Sequence, residues 1–108
     1  MSGVHTQDAV FRALADPSRR AVFEQLTRGE SAVNDLTARF SISQPAVSQH
    51  LAALRKAGLV TERRVGRHVY YRVRPLGLRP LVDWLTHYQA FWTDRITRLQ
   101  ALLKEMDE

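Results

Sequence analysis

The apolar residues change period at Gly58, and this change limits what the chain can fold into more than any other feature of it. Before Gly58, apolar side chains recur three and four apart, the spacing of helices that bury one face. After it, residues 59–65 and 68–73 are rich in β-branched and aromatic side chains, the composition of short strands. Gly66-Arg67 lies between these runs and suits a tight hairpin turn. On the second strand Val69, Tyr71 and Val73 fall on one face, Tyr70 and Arg72 on the other. From Leu78 the helical spacing returns. In 108 residues, the size of one ordinary domain, the material is therefore helices and a single hairpin.

Punctuation residues divide the helical part. Residues 7–15 form a first helix through Val10, Phe11 and Leu14. Asp16-Pro17 ends it and starts a second, because Asp accepts from free N–H groups and Pro suits the first helical position. That helix runs to about Arg28, burying Ala21, Val22, Phe23 and Leu26, with Gly29 closing it. A short third helix covers residues 33–40, with Leu36 and Phe40 one turn apart. Ser43 then caps a fourth, residues 44–57, and Gly58 supplies the left-handed residue that ends it. Pro75 stops the second strand, and Leu76-Gly77 leads into a last helix over residues 78–106. Four helices, a two-stranded hairpin and a last helix give a mainly α winged helix-turn-helix domain over residues 1–108. There is no internal repeat or low-complexity linker.

Composition removes most function classes. At 44% hydrophobic and 25% charged, the chain has enough apolar surface for a core, which excludes a disordered or collagen-like protein. No apolar run approaches the ~20 residues of a membrane-spanning helix. Residues 1–8 lack the basic stretch and apolar core of a secretory signal, so a cytoplasmic protein with no membrane partner is expected. With no cysteine there is no disulfide, thiolate nucleophile or cysteine-ligated metal. His5, His50, His68 and His87 are scattered, and neither a phosphate loop nor a nucleophile elbow occurs. Neither enzymatic activity nor a cofactor is expected.

The charge is informative because it is localised. The whole chain carries net +5, yet residues 44–74 hold seven basic side chains against the single acid Glu62. A concentrated basic segment is the electrostatic mark of a nucleic-acid binder. Within it, Val47, Leu51 and Leu54 form one apolar stripe on the fourth helix. Pro45, Gln49, Ala52 and Lys56 point the other way, with Gln44 and Ser48 at the margins. A helix that enters the major groove needs such a small, polar tip, and Gln and Ser pair with base edges. Ser43, Gln44, Pro45, Ser48 and Gln49 are thus candidates for contact with double-stranded DNA. Arg63, Arg64 and Arg67, with His68, sit about the hairpin tip, where they suit flanking phosphates. The same residues also fit a solvated capped helix and an edge strand blunted by charge. The arginine-rich hairpin directly after the helix favours DNA. Tyr70 and Tyr71 read as packing residues rather than base-stacking platforms.

The last helix carries more apolar surface than a small domain needs. Leu78, Leu85, Trp92, Leu99 and Met106 are spaced by seven, and Leu81, Tyr88 and Leu102 fit the interleaved series that Arg95 interrupts. Phe91 and Ile96 widen the stripe. Part of it covers the first helix. The surplus predicts a second copy as partner, making residues 78–106 a dimerisation helix with Leu78, Leu81, Leu85, Tyr88, Trp92 and Leu99 at the interface.

Three stretches also carry a family resemblance: Phe11-Arg12-Ala13-Leu14-Ala15-Asp16-Pro17-Ser18-Arg19-Arg20, then Ser43-Gln44-Pro45-Ala46-Val47-Ser48-Gln49-His50-Leu51, then Leu54-Arg55-Lys56-Ala57-Gly58-Leu59-Val60. In this order, with Gly66-Arg67 before Tyr70-Tyr71, they resemble the ArsR/SmtB family of bacterial transcriptional regulators over residues 11–92. The resemblance implies a homodimeric winged-helix repressor that binds an imperfect inverted repeat. It also implies that Ser43, Gln44, Ser48 and Gln49 occupy the DNA-facing positions of the recognition helix. Many relatives hold metal through two cysteines at the start of the third helix, where this chain has Ala32 and Asn34. A second group uses Asp and His on the last helix; here Asp83 and His87 are four apart, without the downstream histidine. The chain therefore resembles the branch lacking the known metal sites, and no effector is assigned. A nonspecific architectural DNA-binding protein, a metal-responsive repressor with an unusual shared site, and an interaction module that has lost DNA binding are the alternatives.

Overall fold

In the computed structural model, which describes residues 2–107 and the side chains of 6–89 and 91–107, the helices and hairpin follow the expected order. Helices α1 (Ser2–Ala15) and α2 (Pro17–Leu26) meet at Asp16, whose carboxylate accepts from the Arg19 N–H at 3.0 Å. Helix α1 begins five residues earlier than its apolar pattern suggests. After it come the two-residue strand β1 (Ser31–Ala32), α3 (Val33–Phe40) and α4 (Gln44–Lys56). Strands β2 (Val60–Val65) and β3 (His68–Val73) form the hairpin. The sheet has three strands in the order β1-β3-β2, all antiparallel, so the hairpin is not alone. Strand β1 is too short to show an alternating pattern, and its pairing with Tyr70 and Tyr71 makes it a strand.

Each helix of the domain buries one face. Val10 and Ala13 of α1, Val22, Phe23 and Leu26 of α2, Leu36 of α3, and Val47, Leu51 and Leu54 of α4 form the core with Leu59 and Val60. Leu36, Leu51, Leu54 and Leu59 are among the fully buried side chains. Phe40 and Ile42 pack at the edge. Gly77 closes the core from below: a Cβ there would stand 2.2 Å from the Gly58 carbonyl oxygen. Only glycine lets the two backbones come so close. Gly58 itself takes φ 80, as its place after α4 requires.

The last helix is not continuous. A 3₁₀ turn (Pro75–Leu78) leads into α5 (Arg79–His87), and α6 (Gln89–Asp107) starts after a break at Tyr88. There the backbone has φ −101 and ψ 9, and the Tyr88 N–H donates to the Leu85 carbonyl rather than to Trp84. Neither Pro nor Gly causes the break, and the apolar spacing runs straight through it. An aromatic cluster holds the position: Trp84 packs edge-on against Phe11 of α1 at 5.5 Å and against Tyr88 at 5.2 Å. Helix α5 therefore stays with α1, while α6 leaves the domain and meets it mainly through α5. The radius of gyration is 17.4 Å, against about 13 Å for a compact chain of this length.

Candidate nucleic-acid interface

The turn between α3 and α4 aims the tip of α4 outward. Ser41 takes a left-handed φ of 54 to end α3. Ser43 then accepts from the Ala46 N–H at 3.2 Å and starts α4. Its hydroxyl oxygen is engaged in this cap, so Ser43 orients the helix whatever else it touches. With Val47, Leu51 and Leu54 buried, Gln44, Pro45, Ser48, Gln49, Ala52 and Lys56 are all exposed. His50 lies on the flank, half-buried, and its Nδ1 has no hydrogen-bond partner among the described residues. The side chain of His5 lies outside the described side chains.

The hairpin, or wing, turns at Gly66, which takes φ 62 while Arg67 keeps negative φ, a pattern suited to a two-residue hairpin with glycine first. Gln44 and Ser48 of α4 face Arg64, Arg67 and His68 of the wing across a groove of about 310 Å³. Asn34, in the first turn of α3, lines it too. Its part in the groove was not legible, because only the folded sheet brings α3 beside the wing. Neither Arg64 nor Arg67 makes an ion pair among the described residues. Both line the groove, as does Glu62, whose carboxylate is paired with Arg55.

Arg63 behaves differently from its two neighbours. It pairs with Glu30, the residue before β1, and its guanidinium lies 5.5 Å from the Tyr70 ring centre. The bond from Arg63 holds the Glu30 carboxyl below its ordinary range, and Glu30 raises Arg63 in turn. On the other face Glu62 accepts from Arg55 of α4 at 2.6 Å and from the Tyr71 hydroxyl at 3.0 Å. Burial, followed by this bond, pushes the Tyr71 hydroxyl above its ordinary value. Tyr70 and Tyr71 are half-buried packing residues, as expected.

Of the residues expected at a dimer interface, Leu78 and Leu81 pack against the domain's own core. Leu85, Tyr88, Trp92 and Leu99 are exposed, and the exposed large apolar residues from Tyr88 onward range from 40% at Tyr88 to 72% at Met106. Asp83 and His87 are both exposed on α5, and the His87 ring rests against Tyr88 at 4.9 Å. Among the described residues no three His, Asp or Glu side chains gather as metal ligands would. No helix among them is long and apolar enough to cross a membrane.

Residues 16–62 match the family described as "Bacterial regulatory protein, arsR family". Over 103 residues the chain is 40% identical to the HTH-type transcriptional regulator Rv2034 of Mycobacterium tuberculosis, covering 95% of this chain and 94% of that one. The chain belongs to the ArsR family. This ArsR-family protein is also 32% identical over 79 residues to the transcriptional repressor SdpR of Bacillus subtilis, which covers 73% of this chain and 88% of SdpR. An ArsR-like transcriptional regulator from Rhodococcus sp. RHA1 has the same fold, with TM-score 0.76 and 28% identity over 94% of this chain and 96% of that one. A homodimeric winged helix-turn-helix DNA-binding domain from Mycobacterium bovis matches with TM-score 0.66 and 30% identity, over 79% and 82%. The ArsR-family chain is thus a winged helix-turn-helix transcriptional regulator that binds DNA.

Proposed function

We propose that this regulator is a homodimeric repressor that binds an imperfect inverted repeat in operator DNA. The observation that carries the reading is the groove that Gln44 and Ser48 line together with Arg64 and Arg67. Gln44, Ser48 and Gln49 read base edges in the major groove, and Pro45 keeps the tip slim enough to enter. Arg64 and Arg67, with His68, hold the flanking backbone. Two copies join through the apolar face of α5 and α6 at Leu85, Tyr88, Trp92 and Leu99, with Leu78 and Leu81 beneath. Pairing places two recognition helices about one DNA turn apart and matches an inverted repeat. The exposure of that face and the homodimeric state of the M. bovis relative support this arrangement. The name of SdpR supports repression.

The test is selection of bound duplexes from a random pool at two salt concentrations. A recovered palindrome, bound by a dimer in sedimentation, agrees with the reading. Salt-sensitive binding without a consensus would favour the architectural alternative instead.

A further inference from the structure

We propose that Arg63 is a positioning residue, clamped by Glu30 to tie the wing to the helix-turn-helix, so that among the three wing arginines Arg64 and Arg67 carry the phosphate contacts and Arg63 does not. The inference rests on the reading above that the wing lies against DNA.

Sheet geometry separates the three arginines. Residues paired across antiparallel strands share a face, and neighbours along a strand alternate. Arg64 pairs with Val69, and Glu62 with Tyr71; these four residues line the groove. Arg63 pairs with Tyr70 and points to the other side. There its guanidinium crosses the Tyr70 ring and reaches both carboxylate oxygens of Glu30, with Nε donating to Oε2 at 3.3 Å and Nη2 to Oε1. Ala32, two residues beyond Glu30, is the other neighbour of Tyr70. One side chain thus spans β2, β3 and the approach to β1, and β1 runs directly into α3.

Two physical consequences separate Arg63 from its neighbours. A bidentate arginine–carboxylate pair fixes direction as well as distance, so it orients the hairpin relative to α3. The pair is also neutral as a unit. Turning Arg63 onto a phosphate requires either breaking it or bringing the Glu30 carboxylate towards a like charge. Arg64 and Arg67 meet neither obstacle.

The test measures the salt dependence of binding to the preferred duplex for the native chain, Arg63→Gln and Arg64→Gln. It adds Arg63→Glu alone and the exchanged pair Glu30→Arg with Arg63→Glu, and follows amide exchange of β1 and β3 in the free proteins. Arg64→Gln is expected to lower the slope by about 0.9, and Arg63→Gln by less than about 0.3. Arg63→Gln weakens binding several-fold at every salt concentration and speeds amide exchange at Ala32 and Tyr70. The exchanged pair restores both properties that Arg63→Glu loses. A slope change for Arg63→Gln equal to that for Arg64→Gln overturns the proposal, as does an exchanged pair no better than Arg63→Glu. An unmoved slope for Arg64→Gln overturns the wing-on-DNA reading instead, and amide exchange in the free proteins still decides the clamp.

Discussion

Single side chains on α4 divide into those that aim the helix and those that face outward. Gln49 is exposed on its outer face, and its side chain makes no hydrogen bond among the described residues. Gln49→Ala should cost about 1–3 kcal/mol on the preferred duplex and little on a scrambled one, measured by parallel titrations of both. Asp16 shows how a single cap titrates. The Arg19 N–H, helped by the charge of His50, holds its carboxyl below the ordinary value of 3.8. Between the folded and unfolded values the unfolded chain binds more protons, so stability falls as pH falls. The cap's contribution is complete above 3.8 and is lost as pH drops through the lower folded value. Asp16→Asn keeps a good cap but removes this titration. The thermal midpoint of that variant should therefore fall less steeply below about pH 4. The candidate contacts on α4 were legible because helical geometry alone sorts them from Val47, Leu51 and Leu54. Equal roles for Arg63, Arg64 and Arg67 were expected from their nearness in sequence, and strand alternation separates them.

Elements were legible where they are long enough to carry a period. Helices α2, α3 and α4 end close to where Gly29, Phe40 and Gly58 place their ends, and the hairpin turns at Gly66. Strand β1 carried no signal, since two residues have no period and their strand character comes from β3. The break at Tyr88 was hidden for the opposite reason: the seven-residue spacing continues through it, while packing of Trp84 on Phe11 decides the direction of α5. At Gly77 an added Cβ would meet the Gly58 carbonyl, a backbone group, rather than a movable side chain. Gly77→Ala should destabilise by about 2–3 kcal/mol, as overpacking does. It should lower the urea midpoint while leaving the slope of the transition unchanged. Leu54→Ala, which empties a fully buried site, should cost about 2–5 kcal/mol in the same measurement.

The whole molecule is drawn out by α6, whose apolar side chains stand in solvent in the isolated chain. Trp92, exposed at 41%, is central to that face and touches Phe91. On the proposed pairing, Trp92→Glu should shift sedimentation towards the monomer and weaken binding to an inverted repeat by more than about tenfold, because its two halves would then be bound independently. Far-ultraviolet circular dichroism should stay near that of the native chain, since Trp92 lies outside the buried core. A variant that remains dimeric would move the interface elsewhere. The order of amino acids alone settled the helical core, the capped helix α4, the hairpin and the place of the basic charge. Each depends on residues within a turn or two of one another, where backbone geometry dictates which face a side chain takes. Only folding decided that β1 completes the sheet, that Glu30 takes Arg63, that Asn34 joins the groove and that α5 parts from α6. Those outcomes turn on contacts between segments far apart in the chain, whose distances no local period encodes.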